Sequence, residues 1–215
     1  MTENFDLLLM TILPSCFLLI FFVKSDKFRE PASSILKIFL LGILICFPAG
    51  YLNIFVIQDF EEQAYLAGFT EETLKFLFFI FYINNHKHYD EPMDGIVYGV
   101  CLSLGFATLE NFEYVFFNTQ NVYDSYITAA LRSFSAIPLH CFCGVIMGFY
   151  FSDYKFNNNK KSLFLSLLIP IAFHSLYNFL VSIQSILYLI LLAYLIIFSM
   201  NLLKKYKLLQ SEVDD

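Results

Sequence analysis

Glu71 and Glu72 stand side by side in an apolar stretch, YLAGFTEETLKFLFFIFY, with Lys75 one helical turn further on. A charge at a bilayer centre costs at least about 2.5–3.5 kcal/mol, so residues of this kind must find partners or work. Further along, Glu110, Asn111, Arg132, His140, His174 and Asn178 interrupt other apolar stretches. Carboxylates and imidazoles together can hydrolyse a bond in two ways. In one, Glu71 or Glu72 takes a proton from water while a histidine and Asn178 steady the oxyanion. In the other, His140, His174 and a glutamate hold a divalent metal such as zinc, which acidifies its bound water, and the remaining glutamate takes the proton. No serine or cysteine lies in a nucleophile motif, which speaks against an acyl-enzyme. On a helix Glu71 and Lys75 share a face and Glu72 points about 100° away, so Lys75 is expected to be the charge partner of Glu71.

The elements that carry these residues are membrane spans. The 215-residue chain is 58% hydrophobic and 19% aromatic, with only 15% of its residues charged. A soluble domain of this size could not hide so much apolar surface. The fold class is therefore all-α, a polytopic transmembrane bundle. About seven spans of some 20 residues are predicted, over 5–23, 35–57, 63–84, 94–117, 127–151, 161–182 and 185–203. The first has an acidic flank, MTENFD, and no small-residue cleavage site, unlike a signal peptide. The short loops and the absence of repeats predict one integral-membrane domain over 1–215, with a motif-bearing core at 63–182.

Lysine and arginine set the orientation. They follow spans one (Lys24, Lys27, Arg29), three (Lys87), five (Lys155, Lys160, Lys161) and seven (Lys204, Lys205, Lys207), while the alternate loops have none. By the positive-inside rule the N-terminus is outside and the C-terminus cytoplasmic. The net charge of −6 is too unevenly spread to mean much, and nothing suggests nucleic-acid binding.

This orientation brings Glu71, Glu72, Glu110, His174 and Asn178 to the central-to-outer part of the bilayer, with His140 in the middle, which predicts a single interior polar site. Arg132 and His140 are expected two turns apart on one helix with Pro138 between them. Phe106 and Glu110 share a face, and Gly95, Gly99 and Gly105 allow a close helix approach. Asp94-Gly95 reads as a helix start. His86 and His88 fall in a cytoplasmic loop and are expected to be solvated. The five cysteines, Cys16, Cys46, Cys101, Cys141 and Cys143, match no metal spacing and read as core packing.

The motifs E71-E72-x-x-K75, D94-G-I-V-Y-G with L-G-F-A-T-L-E110-N111, R132 with H140, and F-H174-S-L-Y-N178 together resemble the PrsW intramembrane proteases. KSDKFREP, from Lys24 to Pro31, is similar to that family's first cytoplasmic loop. The resemblance implies a bacterial plasma-membrane endopeptidase that makes the site-1 cut in a single-span anti-sigma factor, on its extracytoplasmic side. A sigma factor is then released by regulated proteolysis. It also implies a catalytic core of Glu71, Glu72 and His174, completed by Glu110 and His140, with Lys75, Asn178, Arg132 and Asn111 in support. His140, His174 and Glu110 are the implied ligands for a zinc-like metal. The family is in turn distantly similar to the CAAX prenyl protease and bacteriocin-immunity superfamily. Glu110 stands four residues after Phe106, where that superfamily has histidine, so a metal and a glutamate-activated water both stay open.

Two rival readings use the same residues. One is a transporter or proton relay, and the other a non-catalytic immunity or scaffold protein.

Overall fold

The computed structural model describes residues 2–212, the side chains of residues 2–4, 60 and 61 excepted, so residues 213–215 and part of the acidic N-terminal flank lie outside it. The chain runs through α1 (Thr2–Ser25), α2 (Ala32–Val56), α3 (Phe60–Gln63), α4 (Tyr65–Phe81), a 3-10 turn (Ile83–Asn85), α5 (Pro92–Phe117), α6 (Val122–Phe134), α7 (Ala136–Asn157), α8 (Lys160–Ser182) and α9 (Leu187–Glu212). There is no strand among the described residues. A helix satisfies every backbone polar group within its own segment, which is what a bilayer demands.

Six stretches are long and apolar enough to cross a membrane: α1, α2, α5, α6 with α7, α8 and α9. The charged α4, predicted as a further span, is 17 residues long and is not among the six. Span five is not one straight helix. α6 and α7 meet at Ser135, which leaves helical geometry at φ −130°, ψ −71°. The expectation of Arg132 and His140 on one helix is therefore corrected. Pro138 lies in the first turn of α7, where a missing N–H breaks no helical bond.

The basic loops come together at one end. Lys27 donates from its backbone N to Gln210 Oε1 (3.2 Å) and from Nζ to Gln210 O (3.1 Å). Lys155 Nζ donates to Asn84 O (3.0 Å) and Tyr89 O (2.8 Å). By the positive-inside rule this is the end expected on the cytoplasmic side. At the outer end Asn178 Nδ2 donates to Ala64 O (3.3 Å) and Thr70 Oγ1 donates to Asn53 Oδ1.

α5 and α7 form the axis of the bundle, with almost every residue from Met93 to Thr108 and from Ala136 to Gly148 buried. The other long helices turn Phe17, Leu44, Ile54, Leu168 and Ile190 outward to lipid. In the cytoplasmic half, α5 and α7 touch backbone to backbone. A Cβ on Gly148 would lie 1.9 Å from Gly95 O, and one on Gly99 would lie 2.2 Å from Gly144 O. Small residues are what permit such an approach in a membrane. Beside this seam Ser152 donates to Pro92 O (2.8 Å) and its hydroxyl meets that of Tyr89 at 2.7 Å.

Asp94 is the helix start that the sequence suggests. Its Oδ2 accepts from Asp90 N (3.0 Å) and Glu91 N (2.8 Å), completing a capping box. Cys46, Cys101, Cys141 and Cys143 are buried and unpaired. His86 and His88 are half-buried rather than fully solvated, because the His86 ring packs 5.4 Å from that of Tyr98.

Candidate active site

Glu71 lies six residues from the outer end of α4, His140 four from that of α7, Glu110 seven from that of α5, and His174 eight from that of α8. At 1.5 Å per residue all four lie about 6–12 Å below the outer helix ends. His140 is thus shallower than the sequence suggests, because α7 begins only after the break at Ser135. The four side chains line a cavity of about 880 Å³, together with Arg132 and Asn178.

Glu72 and Lys75 are absent from that lining, and both are 0% exposed. Here the sequence expectation for the cluster is corrected. Lys75 pairs with Glu72, Nζ to Oε1 at 2.7 Å, and not with Glu71. Positions i+3 and i+4 are both reachable on a helix, and the packing decides between them. Lys75 Nζ is drawn behind the cavity wall, where it lies 4.2 Å from the centre of the Phe106 ring and donates to His140 Nδ1 at 2.9 Å.

An ammonium group has no acceptor, so this contact fixes the tautomer of His140. Nδ1 carries the lone pair, and Nε2–H donates to Glu110 Oε2 at 2.9 Å. His174 is fixed the other way. Its Nδ1–H donates to Glu72 Oε1 at 2.9 Å, which turns the Nε2 lone pair toward Glu71 Oε2, 3.8 Å away. The two imidazole rings meet edge to face with centroids 4.7 Å apart.

Glu110 Oε2 also takes Arg132 Nη2 at 2.7 Å. Arg132 Nε donates to Asn111 Oδ1 (2.9 Å), and Asn111 Nδ2 donates to Thr11 O (2.9 Å), which ties this side of the site to α1. Asn178, expected to face an oxyanion, spends its amide on Ala64 O at 3.3 Å. Asn53 is the residue that sequence reasoning missed. It donates to Glu71 Oε1 at 3.2 Å and accepts from Thr70 Oγ1. Its signal was a lone amide in the apolar run FPAGYLNIFV.

One donor set fits a metal. Glu71, His140 and His174 each offer a ligand atom within 4.8 Å of the others, and all three are buried. Glu71 Oε2 accepts no hydrogen bond although it is buried. Tetrahedral zinc with ligands at about 2.0–2.1 Å separates neighbouring ligand atoms by about 3.4 Å, close to the 3.8 Å between Glu71 Oε2 and His174 Nε2. The Glu72–His174 bond is the usual carboxylate support for a metal-binding imidazole. The sequence expectation put Glu110 in this set, but Glu110 is turned to Arg132 and His140. The one lone pair of neutral His140 is held by Lys75, so His140 would join the set only on releasing that ammonium group.

The family described as PrsW family intramembrane metalloprotease matches residues 30–203. The chain belongs to the PrsW family. Curated relatives named Protease PrsW agree with this assignment. The relative from Clostridioides difficile (strain 630) is 34% identical over 193 residues, 83% of this chain and 80% of the relative. That from Geobacillus kaustophilus is 35% identical over 185 residues, 82% of this chain and 80% of the relative. That from Bacillus subtilis is 35% identical over 181 residues, 80% of each. No solved structure matches this chain. This PrsW-family member is an intramembrane protease and a multi-pass bacterial membrane protein. The transporter and immunity readings of its polar cluster give way to that.

Proposed function

We propose that this protease makes the first, extracytoplasmic cut in a single-span anti-sigma factor, so that a sigma factor is released by regulated proteolysis. The observation that carries the reading is the bare Glu71 Oε2, 3.8 Å from His174 Nε2, in a cavity reached from the outer membrane face. A site at that depth is offered peptide bonds near the outer end of a substrate span.

In this reading Glu71, His140 and His174 would hold a divalent metal, and their nitrogen and oxygen donors suit zinc. Such an ion supplies Lewis acidity and an acidified water. Glu110 lines the cavity with its Oε2 held by Arg132 and His140, and its other oxygen, Oε1, takes the proton of the attacking water and hands it to the leaving amine. Glu72 and Lys75 do not touch substrate. From behind the wall Glu72 orients His174, and Lys75 holds Glu72 in place. Arg132 holds Glu110 in position.

The test is co-expression with a single-span anti-sigma factor tagged at both ends. Wild type should release an extracytoplasmic fragment cut near the outer membrane face. Glu71→Gln and Glu110→Gln should both lose the cut, and only Glu71→Gln should also lose bound zinc. Full cleavage by Glu71→Gln, or a cut in the cytoplasmic half of the substrate span, would overturn the assignment.

A further inference from the structure

At the opposite end of α5 from the cavity, carboxylates from separate segments converge. Asp26 follows α1, Glu91 precedes α5 and Asp94 lies in its first turn, and one oxygen of each lies within 4.8 Å of the others. Asp94 and Glu110 are 16 residues apart on one helix, so the two clusters are separated by about 24 Å.

The grouping is more than an acidic patch. Asp26 is 2% exposed and Asp94 0%. Asp26 Oδ1 accepts from Phe28 N (3.0 Å) and Gln210 Nε2 (2.7 Å), while Asp26 Oδ2 accepts nothing and is buried. Asp94 Oδ2 takes both backbone donors of the capping box, Asp94 Oδ1 is likewise buried and accepts from no N–H group, and the Glu30 carboxyl is a hydrogen-bonding neighbour of the Asp94 side chain. Gln210 Nε2, from α9, also donates to Glu91 Oε1 at 2.6 Å. Among the described residues, no lysine or arginine forms an ion pair with any of the three carboxylates. Burial pushes the Glu91 carboxyl up to about 7. Two buried carboxylate oxygens without an N–H donor, beside a third acid, are a set of charges in want of a counter-charge.

The donor chemistry says which one. All the groups are hard oxygens and none is imidazole or thiolate, which suits magnesium, manganese or calcium and not zinc. A cavity of about 540 Å³ lined by Asp26 and Gln210 lies beside the cluster. The basic residues at its rim, Lys24, Lys27, Arg29 and Lys207, are exposed and screened by salt, and Lys27 Nζ is bonded to Gln210 O.

We propose that Asp26, Glu91 and Asp94 form a cytoplasmic-face site for a hard divalent cation that joins the α1–α2 loop to the start of α5, beside Gln210 of α9. Its role is to staple the cytoplasmic end of the bundle, and it is independent of the reacting centre.

The full-length protein, purified in detergent and stripped with chelator, tests this by thermal unfolding read with a thiol-reactive dye. The four buried cysteines report the transition. MgCl₂, MnCl₂ and CaCl₂ are titrated at matched ionic strength. The midpoint should rise saturably, by at least about 3 °C, with one or more of these ions. The rise should persist in Glu71→Gln, which separates it from any ion in the outer cavity, and vanish in Asp26→Asn and in Glu91→Gln. If Asp26→Asn does not fold, Glu91→Gln carries the comparison, and Mn²⁺ electron paramagnetic resonance counts bound ions in wild type. No saturable rise in wild type would show that the carboxyls are merely protonated, an equal rise in Glu91→Gln would show that the ion binds elsewhere, and either result would overturn the proposal.

Discussion

The same two helices do opposite things at their two ends. In the cytoplasmic half α5 and α7 meet through glycine, Gly95 against Gly148 and Gly99 against Gly144, with no room for a methyl group. In the outer half the facing positions are Phe106, Glu110 and His140, and the gap between the helices becomes part of a cavity of about 880 Å³. Side-chain size alone makes this difference. A membrane helix pair has little hydrophobic drive to associate, so close packing at one end must hold the pair while the other end stays open to water and substrate. Polar groups follow the same division. In the open half most buried charges have partners and Glu71 Oε2 faces the cavity bare.

The harshest way to break this comparison is to force the closed half open. Gly148→Val places carbon where Gly95 O already lies, 1.9 Å from an ideal Cβ. With backbone on both sides there is nothing flexible to yield, so overpacking here should exceed the usual cost of about 1–3 kcal/mol. Little or no monodisperse protein should survive detergent extraction. A well-folded, active Gly148→Val would show that the seam does not hold the pair.

Next in size is removal of charge from the open half. Glu71→Gln should leave the unfolding midpoint within a few degrees of wild type, while cleavage falls by at least about 1,000-fold, in the range of losing both an acidified water and its ligand. Elemental analysis of the same preparation should show the loss of tightly bound zinc. Glu72→Gln tests the wall behind the cavity. It weakens the support of His174 and removes the ion pair of Lys75, and a supporting shell of this kind is worth about 10–100-fold in metal affinity or activity. Equal losses for Glu71→Gln and Glu72→Gln would erase the distinction between them.

The smallest effect is expected at Asn53→Ala. This removes one hydrogen bond to Glu71, worth about 1 kcal/mol, and should lower turnover by about fivefold with substrate affinity nearly unchanged. A loss as large as that of Glu71→Gln would make Asn53 a participant in the chemistry.

Much of this was legible in the sequence because a bilayer makes polar residues conspicuous. The gathering of the basic loops at one end and the meeting of Glu71, Glu110, His140 and His174 both follow from length, charge and depth. Periodicity could not choose between Lys75 pairing three or four residues back, since both lie on one face; Phe106 and His140 on neighbouring helices made that choice. The break at Ser135 carried no glycine and had its proline three residues late, so it was invisible to simple punctuation. Asn53 escaped because a single amide in a long apolar run costs far less than a charge and so stands out less.

The glycine seam also raises a question of register. Gly95 with Gly99, and Gly144 with Gly148, repeat every four residues, so the seam sets how close α5 and α7 come but would accept a slip of one repeat at the loss of a single contact. Such a slip would carry His140 about 6 Å along its axis, out of reach of both Lys75 and Glu110. The hydrogen bond from Ser152 to Pro92 O and its contact with Tyr89 are not repetitive, and they index one alignment only. Twelve residues and about 18 Å from His140, a serine at the cytoplasmic end acts as the detent that keeps the catalytic teeth in mesh.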